Sequence, residues 1–163
     1  REKTMLKGFS YSDRLVKPHH KIARPVEDAD IARVRIEAEI LFGLCNTRVG
    51  IYKNALAMSH PQIDDQDPLR FFVNCTSQAI INPVIIRQTQ YQVDSKEGCY
   101  SFPDKLPIIV PRSHKITVRC RVMLHPYTGD IGPEIEVECT GKDAFIFQHE
   151  MDHFEGKYIH AVE

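Results

Sequence analysis

No run of apolar residues in this 163-residue chain approaches the ~18 needed to cross a membrane as a helix. An excess of one charge is also missing. The 21 Lys and Arg face 22 Asp and Glu, a formal net charge of -1 that gives no electrostatic basis for a general polyanion binder or for sequence-specific nucleic-acid contact. CxxC pairs are absent and the five cysteines are an odd number, a poor disulfide framework that points to a reducing compartment. Internal repeats, low-complexity tracts and a recognisable signal peptide are lacking too, although the chain begins at Arg1 and a removed segment is expected before it. What remains is the composition and length of an ordinary globular domain, taken as 1–163 with the basic residues 1–15 as an extension.

The first clear periodicity lies in 28–42. Ile31, Val34, Ala38 and Leu41 share one helical face, Asp28 and Asp30 suit the positive N-terminal end, and Gly43 is the expected stop. A strand is expected at 51–58 and a polar loop at 59–68, followed by short β segments at 70–75, 78–86 (interrupted at Asn82-Pro83), 88–94 and 106–110. The strongest alternation is 116–124, where Ile116, Val118, Cys120, Val122 and Leu124 oppose Thr117, Arg119, Arg121 and Met123. Ile135, Val137 and Cys139 then alternate with Glu134, Glu136 and Glu138. Pairing Arg121 with Glu136, Arg119 with Glu138 and Val122 with Ile135 matches charge across the hairpin, about 0.2–1 kcal/mol per pair. The same pairing leaves Cys120 and Cys139 buried and unbridged. A second helix is expected at 141–155, opened by Thr140 and Asp143 and closed by Gly156.

That second helix carries the sequence QHEMDHFEG at 148–156. His149 and His153 are four apart, so their imidazoles leave one face a turn apart and can reach one divalent ion, with Glu150 between them to take a proton from water. The bland alternative is a surface helix with two solvated histidines. Two histidines do not complete a catalytic site, and downstream residues supply no usable third ligand: position 159 is Ile, and Glu155 lies too close on the same helix. The strongest upstream candidate is Cys99 in EGCYSFP (97–103), whose alternative is an ordinary buried free cysteine.

These residues resemble a family. EGCYSFP is similar to the EGCLSFP motif of peptide deformylases, QHEMDHFEG to their QHExDHLxG, and Asn82-Pro83 to their INP strand. Val110-Pro111-Arg112 resembles the Arg-bearing strand after the Cys motif, and GLCNTRVG (43–50) sits where the family has GLAAxQVG. The resemblance implies an α+β fold, with antiparallel sheets packed around the helix that carries HExxH and an N-terminal helix besides. It implies a metal held by Cys99, His149 and His153, Fe(II) in the native state with zinc or nickel able to substitute. Glu150 would be the general base, and the reaction removal of the N-formyl group from the initiator methionine of nascent peptides. The backbone N–H of Tyr100 would donate to the developing oxyanion, with Arg48 standing where the family has its Gln. Phe42, Gly43, Leu44, Glu97, Phe145 and Ile146 would surround the substrate. The implied partners are a formyl-methionyl nascent chain and the ribosome, in a mitochondrial matrix by preference and bacterial cytoplasm as the alternative. Because Arg48 replaces Gln, the alternative function is a deformylase-like binding or structural component that has lost turnover.

Overall fold

The computed structural model describes residues 10–163. Of the expected extension, residues 1–9 lie outside that range. Residues 10–15 pack instead of trailing: Tyr11 and Leu15 rest against the core beside the first helix. That helix, α1, spans Ile31–Cys45 and follows a 3-10 turn, Asp28–Asp30, closed by a capping box between Glu27 and Asp30. It runs past the expected stop because Gly43 is a seat, not a terminator. The Tyr11 ring lies so close to Gly43 that a side chain there would clash with it. Val34, Ala38, Leu41, Leu44 and Cys45 are buried along its inner face.

Seven strands follow: β1 Ala57–Ser59, β2 Phe71–Asn74, β3 Gln78–Gln88, β4 Gln92–Glu97, β5 Ile108–Ser113, β6 Lys115–Leu124 and β7 Ile135–Thr140. Five form one antiparallel sheet in the order β1-β2-β3-β6-β7, while β4 and β5 pair only with each other as a two-stranded ribbon. The second helix, α2, spans Lys142–Phe154 and starts from Gly141, not from a Thr140 side-chain cap.

Alternation along the strands distributes the core to two faces. Phe71, Val73, Ala79 and Ile81 join the α1 cluster, whereas Phe72, Ile80, Val118, Cys120 and Cys139 join Ala144, Phe147 and Phe154 of α2. The ribbon is tied to α2 by the Gln148 side chain, which accepts from the Ser113 N–H and donates to the Ser113 carbonyl. The expected break at Asn82-Pro83 is a register shift inside a continuous β3. Asn82 takes a positive φ of 52° and its amide bonds both the N–H and the carbonyl of Val26.

Further expectations need correction. The strand expected at 88–94 is displaced: Gln88 ends β3, residues 89–91 are not strand, and β4 is Gln92–Glu97. Residues 51–56 are turn and irregular backbone; only Ala57–Ser59 is strand. The β6–β7 register is offset by two from the charge-matched pairing: Arg119 opposes Glu136, Thr117 opposes Glu138 and Cys120 opposes Ile135. The connection is not a tight hairpin turn. Tyr127 is fully buried, its hydroxyl donates to the Ser77 carbonyl, and Arg35 of α1 binds the carbonyls of Tyr127 and Gly129. A shift of two preserves parity, so Cys120 and Cys139 are both buried and free as expected.

Candidate metal centre

The ribbon and α2 bring together residues some fifty positions apart. Cys99 follows directly from β4, and His149 and His153 lie one turn apart on α2. One ligand atom from each lies within 4.8 Å of the others, and Cys99 Sγ is 3.7 Å from His153 Nε2. All three side chains are buried. The loop must pass close to reach this position: at Gly98 any side chain would collide with the Tyr52 ring.

The outer nitrogens of the imidazoles are already engaged. His149 Nδ1 donates to Glu97 Oε1 at 2.8 Å, and His153 Nδ1 donates to the Lys157 carbonyl at 3.1 Å. Both Nε2 atoms are thereby left for a metal, the arrangement in which a second partner fixes tautomer and ring orientation. Glu97 is held in turn by Arg112, with Nε donating to Oε2 at 2.8 Å and Nη2 to Oε1 at 2.7 Å, and by the Ser95 hydroxyl at 2.8 Å. Burial works against a charge on Glu97, but the Arg112 and His149 bonds prevail and hold it at about 2. Arg112 also reaches Asp152 of α2 at 2.6 Å, fastening ribbon to helix.

Glu150 differs from every other carboxylate here. It is buried, its Oε1 has no hydrogen-bond partner among the described residues, and burial pushes its carboxyl up to about 7. Both forms of the group are thus accessible near neutrality. It lines a cavity of about 370 Å³ together with Tyr52, Met58, Glu97, Cys99, Tyr100, Phe145, Ile146 and His149.

Of the sequence-derived candidates, Cys99, Tyr100, Glu97, Phe145, Ile146, His149 and Glu150 line this cavity, and His153 lies just behind Cys99. Phe42, Gly43, Leu44 and Arg48 do not. The Phe42 ring lies tilted against His125, centroids 5.0 Å apart, Gly43 seats Tyr11, Leu44 is in the α1 core, and Arg48 is exposed beyond the end of that helix. The segment GLCNTRVG is the end of α1 and the turn that follows it, and it does not line the cavity.

The glutamine expected there is supplied by Gln62, which sequence reasoning missed. Gln62 ends a 3-10 turn, His60–Gln62, and is buried in the cavity wall. Its Oε1 accepts the Ser59 N–H at 2.9 Å, so its Nε2 faces inward, 3.6 Å from Cys99 Sγ and 3.0 Å from Ser101 Oγ. A signal was available: AMSHPQID (57–64) fits GLAAxQVG with Gln62 on the motif's Gln and Ile63 on its Val. Ser59 and His60 on the two alanines, and Asp64 on the final glycine, hide the match.

A cysteine sulfur and two imidazoles beside a cavity, with an unpartnered carboxyl oxygen next to them, suit one divalent ion and a general base. The donor set and the unpartnered Glu150 oxygen fit such an ion. Comparison with known proteins agrees. The family model described as polypeptide deformylase matches residues 20–162, and the chain belongs to that family. Peptide deformylase 2 of Bacillus anthracis is 33% identical over 116 residues, which cover 70% of this chain and 55% of the relative. The peptide deformylase of Aquifex aeolicus is 26% identical over 156 residues, 88% of this chain and 82% of that one. The crystal structure of peptide deformylase from Thermotoga maritima superposes with a TM-score of 0.68 at 28% identity, covering 86% of each chain. The chain spans little more than half the length of the Bacillus relative.

Proposed function

We propose that this protein hydrolyses the formyl group from the N-terminal methionine of formylated peptides, releasing formate. The observation that carries the reading is the unpartnered, buried Glu150 Oε1 beside the Cys99, His149 and His153 cluster at the base of a partly apolar cavity. A divalent ion held by those three residues would supply Lewis acidity and a more acidic water. Fe(II), zinc and nickel all suit a thiolate with two imidazoles.

The chain's own groups supply the rest. Glu150, poised near 7, takes the proton from the attacking water and returns it to the departing amine. Gln62 Nε2 and the Tyr100 backbone N–H donate to the carbonyl oxygen as it gains charge. Phe145, Ile146 and Met58 offer the methionine side chain an apolar wall, and removing water there strengthens each polar contact. Gln62 facing Cys99 supports turnover over a deformylase-like binding or structural component, because the amide that Arg48 could not supply reaches the cavity from another segment. In this reading the substrate is a nascent chain, met at the ribosome where translation begins with formyl-methionine, an organelle matrix by preference.

The test is formate release from formyl-Met-Ala-Ser by protein loaded in turn with Fe(II), zinc or nickel. Turnover with at least one metal is expected. Folded, stoichiometrically loaded protein that releases no formate with any of them would overturn the reading.

A further inference from the structure

Gln62 reaches the cavity from a turn whose centre is fastened from behind. The His60 ring is fully buried and stacks on Phe71, ring centroids 4.8 Å apart. Its Nδ1 accepts the Leu69 N–H at 2.8 Å, so the ring proton sits on Nε2 and is donated to Glu37 Oε1 at 2.6 Å. Glu37 belongs to α1, and Arg33 of the same helix and Arg14 of the segment before it each approach its carboxylate at 3.5 Å. The Gln62 carbonyl accepts the Val16 N–H at 2.9 Å, and Ser59 and Gln62 close a capping box across the same turn. Neither His60 nor Glu37 lines the cavity.

We infer that the Glu37–His60 hydrogen bond positions Gln62, so that α1 sets the aim of the amide that faces Cys99. His60 and Glu37 are positioning residues: they touch neither substrate nor metal ligands and act through the turn. This chain needs the device because its turn departs from the family motif. His60 stands where the motif has its second alanine, and a ring in that place demands partners for both nitrogens. Leu69 supplies one and α1 the other. A 1 Å misplacement of a catalytic group costs up to ~10²-fold in rate, so a turn free to shift would lose most of what Gln62 contributes.

The inference rests on the deformylase reading for its kinetic arm alone. The structural arm follows the Gln62 side-chain amide by nitrogen-15 NMR, its signal assigned by its loss in Gln62→Glu. Native protein and Glu37→Gln, which keeps an acceptor for His60, should show the same slowly exchanging pair of amide protons. Glu37→Leu should raise that exchange by about tenfold or more, with bound metal and the signals of the five-stranded sheet unchanged. In parallel, kcat for the formyl peptide should fall by ~10²-fold in Glu37→Leu with KM within about twofold, and recover in Glu37→Gln. An amide as protected in Glu37→Leu as in native protein would overturn the inference, and so would a fall in kcat that Glu37→Gln fails to rescue. Should the native protein release no formate, the deformylase reading falls and amide exchange alone decides the positioning.

Discussion

Gln62 Nε2 lies 3.6 Å from Cys99 Sγ, and its direction is dictated by the Ser59 N–H bound to its other end. A side-chain amide has one acceptor and one donor end, so engaging the oxygen commits the nitrogen to the cavity. Gln62→Ala should lower kcat for formyl-peptide hydrolysis by ~10²–10³-fold with a modest change in KM, the usual cost of one lost oxyanion donor. Arg48→Ala, at an exposed position away from the cavity, should leave both constants unchanged. Steady-state kinetics on the two variants side by side separates the assignments. A large loss in Arg48→Ala with a silent Gln62→Ala would reverse them.

Glu150→Gln replaces the cavity carboxylate whose Oε1 is buried without a partner among the described residues. Formate release should fall by ~10²–10⁴-fold, while metal stoichiometry measured by atomic absorption stays at the native level. Loss of metal together with activity would recast Glu150 as a structural carboxylate.

Arg112 and Glu97 form a buried pair, with side chains 7% and 8% exposed. Breaking it leaves a charge without its partner, so Arg112→Leu should destabilise the fold by about 3–5 kcal/mol. Glu97→Gln keeps an acceptor for His149 Nδ1 but weakens the bond, and metal affinity should drop about 10–100-fold. Denaturant unfolding and competition with a chelator measure the two effects independently.

A cluster of carboxylates on the far side of α1 gives a pH signature. Arg24 bonds Asp30 and Asp67, Arg33 bonds Asp64 and Asp67, and His60 bonds Glu37. The Arg24 hydrogen bonds hold Asp67 and Asp30 below the usual carboxylate range. Burial pushes Glu37 and Asp64 the other way, but His60 and the Asp67 N–H outweigh it. Since the folded values lie below the unfolded ones of ~3.9–4.3, this stability is complete above about pH 4 and is lost as pH falls through the folded values. The melting temperature should therefore drop more steeply below pH 4 in the native protein than in Asp67→Asn, and equal slopes would dismiss the cluster as a contributor.

The sequence made His149, Glu150 and Cys99 legible because their chemistry is written in short spacings: an i, i+4 pair, a carboxylate between, a cysteine after glycine. The helices and most strands were legible from periodicity for the same reason. The glutamine was not, because its recognition depended on small residues that Ser59 and His60 replace. Meanwhile Gly43, Leu44, Val49 and Gly50 preserve the outline of the motif on a helix end where Tyr11 needs the glycine. The β6–β7 register escaped for a different cause. It is set by Tyr127 buried under α1 and by Arg35 holding the loop, contacts that no local charge pattern encodes. Faces survive an even offset and pairings do not.

The two-stranded ribbon shares no ladder hydrogen bonds with the five-stranded sheet. Cys99 therefore belongs to one leaf of the molecule and the two histidines to another, with the Arg112–Asp152, Ser113–Gln148 and Glu97–His149 bonds between them. Opening of this leaf with the main sheet still folded would separate the cluster at a free energy below that of global unfolding. An ion held by the cluster would then be lost with the ribbon rather than with the whole chain. Amide exchange in β4 and β5, compared with that in β3 and β6, would time it directly.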